Sequence, residues 1–206
     1  MEPITADQVR IAIRPGISVP AVNAAFNSLN HSICFKLQLE NYTSFDLIAY
    51  DNYVHKGHVS ILPTNVKPGE MEAMAGHKND WFSGIQGIAT WEIGGTGKII
   101  SVMYSLPYTY EFSDHTNWLA VGIHNKVEVL SCGLVSAKDW FNRMYGAPVF
   151  NGRRKNFAED ARPVMYTDYL NRFNIIGLMG NEHQCAIKIL LTASKIEERA
   201  VDNKRY

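Results

Sequence analysis

Apolar residues recur with two different periods along this chain, and the change of period divides it. Between residues 19 and 30, Val22, Ala25, Phe26 and Leu29 fall at i, i+3, i+4 and i+7, the stripe of an amphipathic helix. Pro20 sits in its first turn, where proline costs least. A shorter helix is predicted over 4–14, with Thr5 as N-cap and Ile4, Val9, Ala12 and Ile13 on one face. Pro15-Gly16 ends it. From residue 32 the period falls to two. Ile33, Phe35, Leu37 and Leu39 alternate with polar residues, which predicts a strand over 32–40. Further strands are predicted at Phe45–Tyr53, after a turn at Asn41-Tyr42-Thr43, and at His58–Leu62, Glu70–Ala75, Trp81–Ile93 and Lys98–Leu106. Gly94-Gly95-Thr96-Gly97 is a hairpin connection.

The late half reads similarly. Trp118–Ile123 and Val127–Leu130 are predicted as a hairpin turning at His124-Asn125-Lys126. A helix follows over 136–146: Ser136 is its N-cap, Asp139 completes a near capping box, and Trp140, Phe141, Met144 and Tyr145 share one side. Residues 149–166 read as a polar loop carrying the basic cluster Arg153-Arg154-Lys155. Strands return at Phe173–Met179 and Cys185–Thr192, and 194–206 is a charged tail. The expected fold is all-β with flanking helices: one antiparallel β-sandwich of about ten strands, spanning 1–206, with an N-terminal amphipathic segment over 1–30.

Composition removes several functional classes. Of 206 residues, 20 are Lys or Arg and 20 are Asp or Glu. A chain without net positive charge is a poor general ligand for nucleic acid, so none is expected as a partner. Cys34, Cys132 and Cys185 are far apart and have no CxxC spacing, so neither a zinc site nor a disulfide scaffold is expected. No apolar run reaches the roughly 18–20 residues of a transmembrane helix. The N-terminus lacks a basic region followed by an apolar one, so a soluble chain without a visible signal peptide is expected. Nucleophile elbows, Walker loops, dinucleotide fingerprints and H-E-x-x-H are all missing, so no catalytic residue, cofactor or metal is expected.

What the chain does offer is a concentration of aromatic rings. Tyr104, Tyr108, Tyr110 and Phe112 lie within nine residues, with Pro107 among them and Asn117-Trp118 just beyond. Tyr and Trp combine an apolar body with a polar tip and suit a membrane–water interface. Their ring faces also attract quaternary ammonium, the chemistry by which choline is held. A bland alternative stands beside this reading, in which the rings fill one end of the sandwich core.

The run Val102-Met103-Tyr104-Ser105-Leu106-Pro107-Tyr108-Thr109-Tyr110, with Asn117-Trp118 after it, resembles the signature of the actinoporins and actinoporin-like proteins, pore-forming cytolysins. Similarity extends to Gly84-Ile85-Gln86-Gly87-Ile88, to Tyr53…Gly57…Leu62-Pro63 and to Met179–Ile189. The resemblance implies a sandwich flanked by two helices and a secreted protein that binds phosphocholine headgroups, sphingomyelin favoured. It also implies that several protomers associate and that the N-terminal helix inserts to form a cation-permeable pore. By position it implies a headgroup site at Ser105, Pro107, Phe141 and Tyr145. It further implies membrane-contacting aromatics among Tyr108, Tyr110, Phe112, Trp118 and Trp140, and an inserting segment bearing Val9, Ile13, Val22, Phe26 and Leu29. There are departures from the family pattern: Phe141 stands where Tyr is usual, Gly146 where a second Tyr is frequent, and Lys56 and Gln86 replace smaller site residues. A non-lytic lipid- or carbohydrate-binding module on the same sandwich is the alternative.

Overall fold

The computed structural model describes residues 13–28, 31–80, 83–108, 116–126, 136–147, 150–157, 160–168 and 173–193. Within them, twelve strands form two sheets. The first sheet runs β1 (Arg14–Pro15), β5 (Glu70–His77), β2 (Cys34–Tyr42), β12 (Gln184–Ala193), β11 (Phe173–Met179), β10 (Val164–Thr167), with β4 (His58–Ile61) also pairing β5. The second runs β3 (Leu47–Lys56), β6 (Ile85–Ile93), β7 (Lys98–Leu106), β8 (Trp118–Asn125), β9 (Gly152–Asn156). Helix α1 (Ser18–Ser28) packs on β5 and β2, and α2 (Ala137–Gly146) packs on β3, β6 and β7. One helix thus covers the outer face of each sheet.

Alternation explains the burial. On β2, Phe35, Leu37 and Leu39 enter the core between the sheets, where they meet Ile85, Ala89 and Trp91 of β6 and Ile100, Val102, Tyr104 and Leu106 of β7. The other side of β7, at Ile99 and Met103, packs with Ile88 and Ala120 against Trp140, Phe141 and Met144 of α2. Every residue of β7 is therefore buried, and the strand reads as a nearly continuous apolar run. Tyr104 lies wholly inside, 4.3 Å from the Phe35 ring centroid. Its hydroxyl finds no hydrogen-bond partner among the described residues, and burial pushes its pKa up. Gly87 makes room for it: a Cβ there would lie 2.6 Å from that hydroxyl oxygen.

α1 is held differently. Val19 and Val22 pack on Ala73 and Ala75 of β5, a small apolar cluster. Polar contacts add to it. The buried carboxylate of Glu72 accepts from the N–H of Ile17 at 3.0 Å, from that of Ser18 at 2.8 Å, and from the Ser18 hydroxyl. The Ser18 Oγ in turn accepts from the Ala73 N–H at 2.7 Å. A carboxylate at a helix N-terminus satisfies orphan N–H groups and complements the helix dipole. A Cβ at Gly16 would fall 2.0 Å from Glu72 Oε1, so a side chain there would displace this carboxylate from its hydrogen bonds.

Four expectations need correction. Of the helix predicted over 4–14, only Ile13 and Arg14 are described, and Arg14 pairs with Glu70 in a strand instead. Asn41 and Tyr42 are not a turn but end β2. His124 and Asn125 continue β8, while Val127–Leu130 lie outside the described residues. The polar stretch 149–166 contains β9 and β10, both outer strands of their sheets. Pairing is antiparallel except at β1 with β5 and, centrally, β12 with β2. The tail 194–206 lies outside the described residues.

His124 illustrates why a polar residue continues a buried strand. Its ring lies beneath α2, 3.8 Å from Trp140, and its Nε2 sits 2.7 Å from Ser101 Oγ. Burial, with the Arg143 charge adding to it, lowers its pKa to about 3. The folded protein keeps this imidazole neutral, whereas the unfolded chain protonates it near pH 6.5. Stability from this site is therefore full above pH 6.5 and is lost as pH falls towards 3, at up to about 1.4 kcal/mol per pH unit. Urea midpoints measured across that window should fall with pH in the wild type and fall less steeply in His124→Gln.

Candidate functional site

The outer face of the second sheet, next to the C-terminal end of α2, gathers the functional candidates. α2 is placed there by its own caps. Ser136 and Asp139 form a reciprocal capping box, and the Ala137 N–H donates to Asp51 Oδ2 of β3 at 2.8 Å. Trp140, Phe141 and Met144 then face the sheet. In the last turn Met144 stays on the sheet while Tyr145 turns outwards, 45% exposed.

An aromatic row crosses this end. Phe141 is almost wholly buried, with Tyr53 meeting it edge-on at 5.7 Å and His55 stacked on it at 5.2 Å. Tyr145 stacks on the other side at 5.4 Å, with 14° between the planes. Phe141, expected at the headgroup site, is instead a buried packing ring behind Tyr145. Ser105 stands close to this row. Its neighbours Tyr104 and Leu106 point into the core, so Ser105 points outwards, where it pairs with Gln86 of β6 and Trp118 of β8. Trp118, Tyr145 and Arg154 line an open recess of about 240 Å3. The Arg154 guanidinium stands 5.4 Å from the Trp118 ring centroid. Its Nη1 donates to the carbonyls of Met144 (3.1 Å) and Tyr145 at the end of α2. A cation bonded there also complements the negative end of the helix dipole.

The other expected residues are placed unevenly. Pro107 is half-buried, and its Cα lies so near Gly84 that a Cβ on that glycine would meet it at 2.8 Å. Tyr108 packs against the sandwich core, with Lys78 Nζ 5.2 Å from its ring centroid. Trp140 corrects the sequence reading: it is only 7% exposed, clamped between α2 and His124, and is a packing residue in this structure. Tyr110 and Phe112 lie outside the described residues, as do Val9 and Leu29. Ile13 precedes β1 and Val22 is buried beneath α1. Phe26 is half-buried, with Lys36 Nζ 5.4 Å from its ring centroid. Among the described residues, no group of three or more His, Cys, Asp or Glu is arranged to hold a metal, and no helix is long and apolar enough to cross a membrane.

Two contributors were not legible beforehand. Arg154 reads in the sequence as one member of a basic cluster in a loop. Asn117 is buried, and its amide donates to the carbonyls of Gly180 and Glu182 at 3.0 Å each, tying the start of β8 to the turn between β11 and β12. The side chain beside Trp118 is thus a strut.

Echotoxin-2 of Monoplex parthenopeus is 26% identical over 95% of this chain. Conoporin-Cn1 of Conus consors is 28% identical over 80% of it. Tereporin-Ts1 of Terebra subulata is 28% identical over 71%. The chain is similar to these actinoporin-like pore-forming toxins. It spans 70%, 64% and 71% of these relatives' own lengths. No protein-family model matches it. Among solved structures, the lipid binding protein Nakanori superposes with a TM-score of 0.64 at 11% identity, over 84% of this chain and 78% of that one. That likeness establishes the shared sandwich fold.

Asn117→Ala should leave the two carbonyls without their donor and cost about 1–3 kcal/mol. Thermal unfolding measures the loss. Tryptophan emission should shift to longer wavelength as the Trp118 environment loosens.

Proposed function

We propose that this protein binds phosphocholine-type lipid headgroups, sphingomyelin favoured, and then self-associates on the membrane. Its N-terminal segment, residues 1–30, leaves the first sheet and inserts to open a cation-permeable pore. The observation that carries the reading is the recess lined by Trp118, Tyr145 and Arg154, with Trp118 paired to Ser105 across the sheet and Tyr145 backed by the buried Phe141 ring. An exposed aromatic face next to a guanidinium matches a zwitterionic headgroup. Kinship with proteins named conoporin, tereporin and echotoxin supports the lytic step.

The state of α1 bears on insertion. Its 11 residues span about 16 Å, against roughly 30 Å of hydrocarbon. Crossing would require residues before Ser18 to join the helix, with Pro15 in its path. It would also require the Glu72 contacts and the Val19 and Val22 packing to break. That attachment favours the second reading, a non-lytic lipid- or carbohydrate-binding module in which α1 stays in place.

Dye release from sphingomyelin–phosphatidylcholine vesicles separates the two. The intact chain should release dye, deletion of residues 1–30 should abolish release while leaving vesicle sedimentation, and Tyr145→Ala should reduce both about tenfold. Binding without release by the intact chain would favour the non-lytic module. A glycan array with hits and no vesicle binding would replace the lipid reading altogether.

A further inference from the structure

Arg154 does more at the recess than end a helix. Both hydrogens of its Nη1 are committed, to the carbonyls of Met144 and Tyr145. The N–H of Nε and the two of Nη2 have no partner among the described residues, and the guanidinium borders the recess. Its place over the Trp118 ring also has a consequence. The negative face that would attract a quaternary ammonium is already taken by a cation, and a second positive charge there would be repelled. No acidic residue is among the described lining. The recess thus sets free guanidinium N–H groups beside aromatic walls.

We propose that Arg154 is the specificity-determining residue of this site and that the recess recognises the phosphate of a headgroup rather than its ammonium. This rests on the headgroup reading above and moves the selectivity of the recess from the choline to the phosphate. A guanidinium held by two carbonyls presents its remaining N–H groups in a fixed fork, the arrangement that suits phosphate oxygens. The Tyr145 face is left for whatever alcohol the phosphate esterifies. Ethanolamine and choline headgroups then bind alike, and a phosphate-free sugar headgroup does not.

The test uses vesicles of a galactosyl diacylglycerol carrier, doped with phosphatidylcholine or with phosphatidylethanolamine, and the full chain. Wild type should bind both doped vesicles within about threefold of each other and ignore the carrier. Arg154→Gln should weaken both about tenfold, and Arg154→Lys should recover most of the loss. Phosphocholine and inorganic phosphate should compete in solution, whereas choline should not. The competition arm uses wild type alone, so it decides the matter even if Arg154→Gln fails to fold. Competition by choline, or strong binding restricted to the choline lipid, overturns the assignment, as does unchanged binding by a folded Arg154→Gln. Binding of neither doped vesicle overturns the headgroup reading itself, and the assignment with it. Competition by inorganic phosphate with no vesicle binding would mark a free-phosphate site and overturn the lipid source.

Discussion

Burial of β7 on both faces sets the position of the rest. Tyr104 and its alternate neighbours lock into the space between the sheets, while Ile99 and Met103 take the underside of α2. Neither face can move without opening a cavity in the other, because interiors are close-packed. Ser105, one residue from Tyr104, is thereby held at a fixed height, and the pairings to Gln86 and Trp118 transmit that height across the sheet. The recess inherits its geometry from this strand and from the turn of α2 that lies on it.

The two helices are attached by different means, and the difference has functional meaning. α2 inserts Trp140, Phe141 and Met144, large side chains that fill a cluster with four sheet residues. α1 contributes Val19 and Val22 over two alanines, with much of its hold coming from the Glu72 carboxylate and Ser18. Apolar burial at roughly 25 cal/mol per Å2 favours the first attachment heavily. Hydrogen bonds exchange with water at a small net cost, so the second is the easier to release. The helix that forms one wall of the recess is the fixed one, and the helix proposed to move is the weakly packed one.

How much of this was legible depended on how local its cause is. Alternation at Phe35, Leu37 and Leu39 and the stripe through Val22 have local causes, and both elements stand where the pattern placed them. Of the stripe Trp140-Phe141-Met144-Tyr145, the first three members lie on the buried side of α2, whereas Tyr145 turns outwards. His124 looked like a turn because nothing near it in sequence announces the Trp140 ring that buries it. β9 looked like a loop because the outer strand Gly152–Asn156 has no apolar alternation to reveal it. Alternation is also blind to direction, so the parallel pairing of β12 with β2 left no local trace. Arg154 depends on partners in a distant helix and strand, which composition cannot supply.

Release of α1 is the central claim, and a reversible tether tests it directly. Val22→Cys with Ala73→Cys, in a Cys132→Ser background, places a thiol pair inside the cluster joining α1 to β5. Cys34 and Cys185 are buried with raised pKa values, so they are poor competitors for oxidation. The oxidised protein should bind sphingomyelin vesicles like the wild type yet release no dye, and adding reductant to the bound protein should start release. Equal dye release from the fully oxidised and reduced forms would contradict the account.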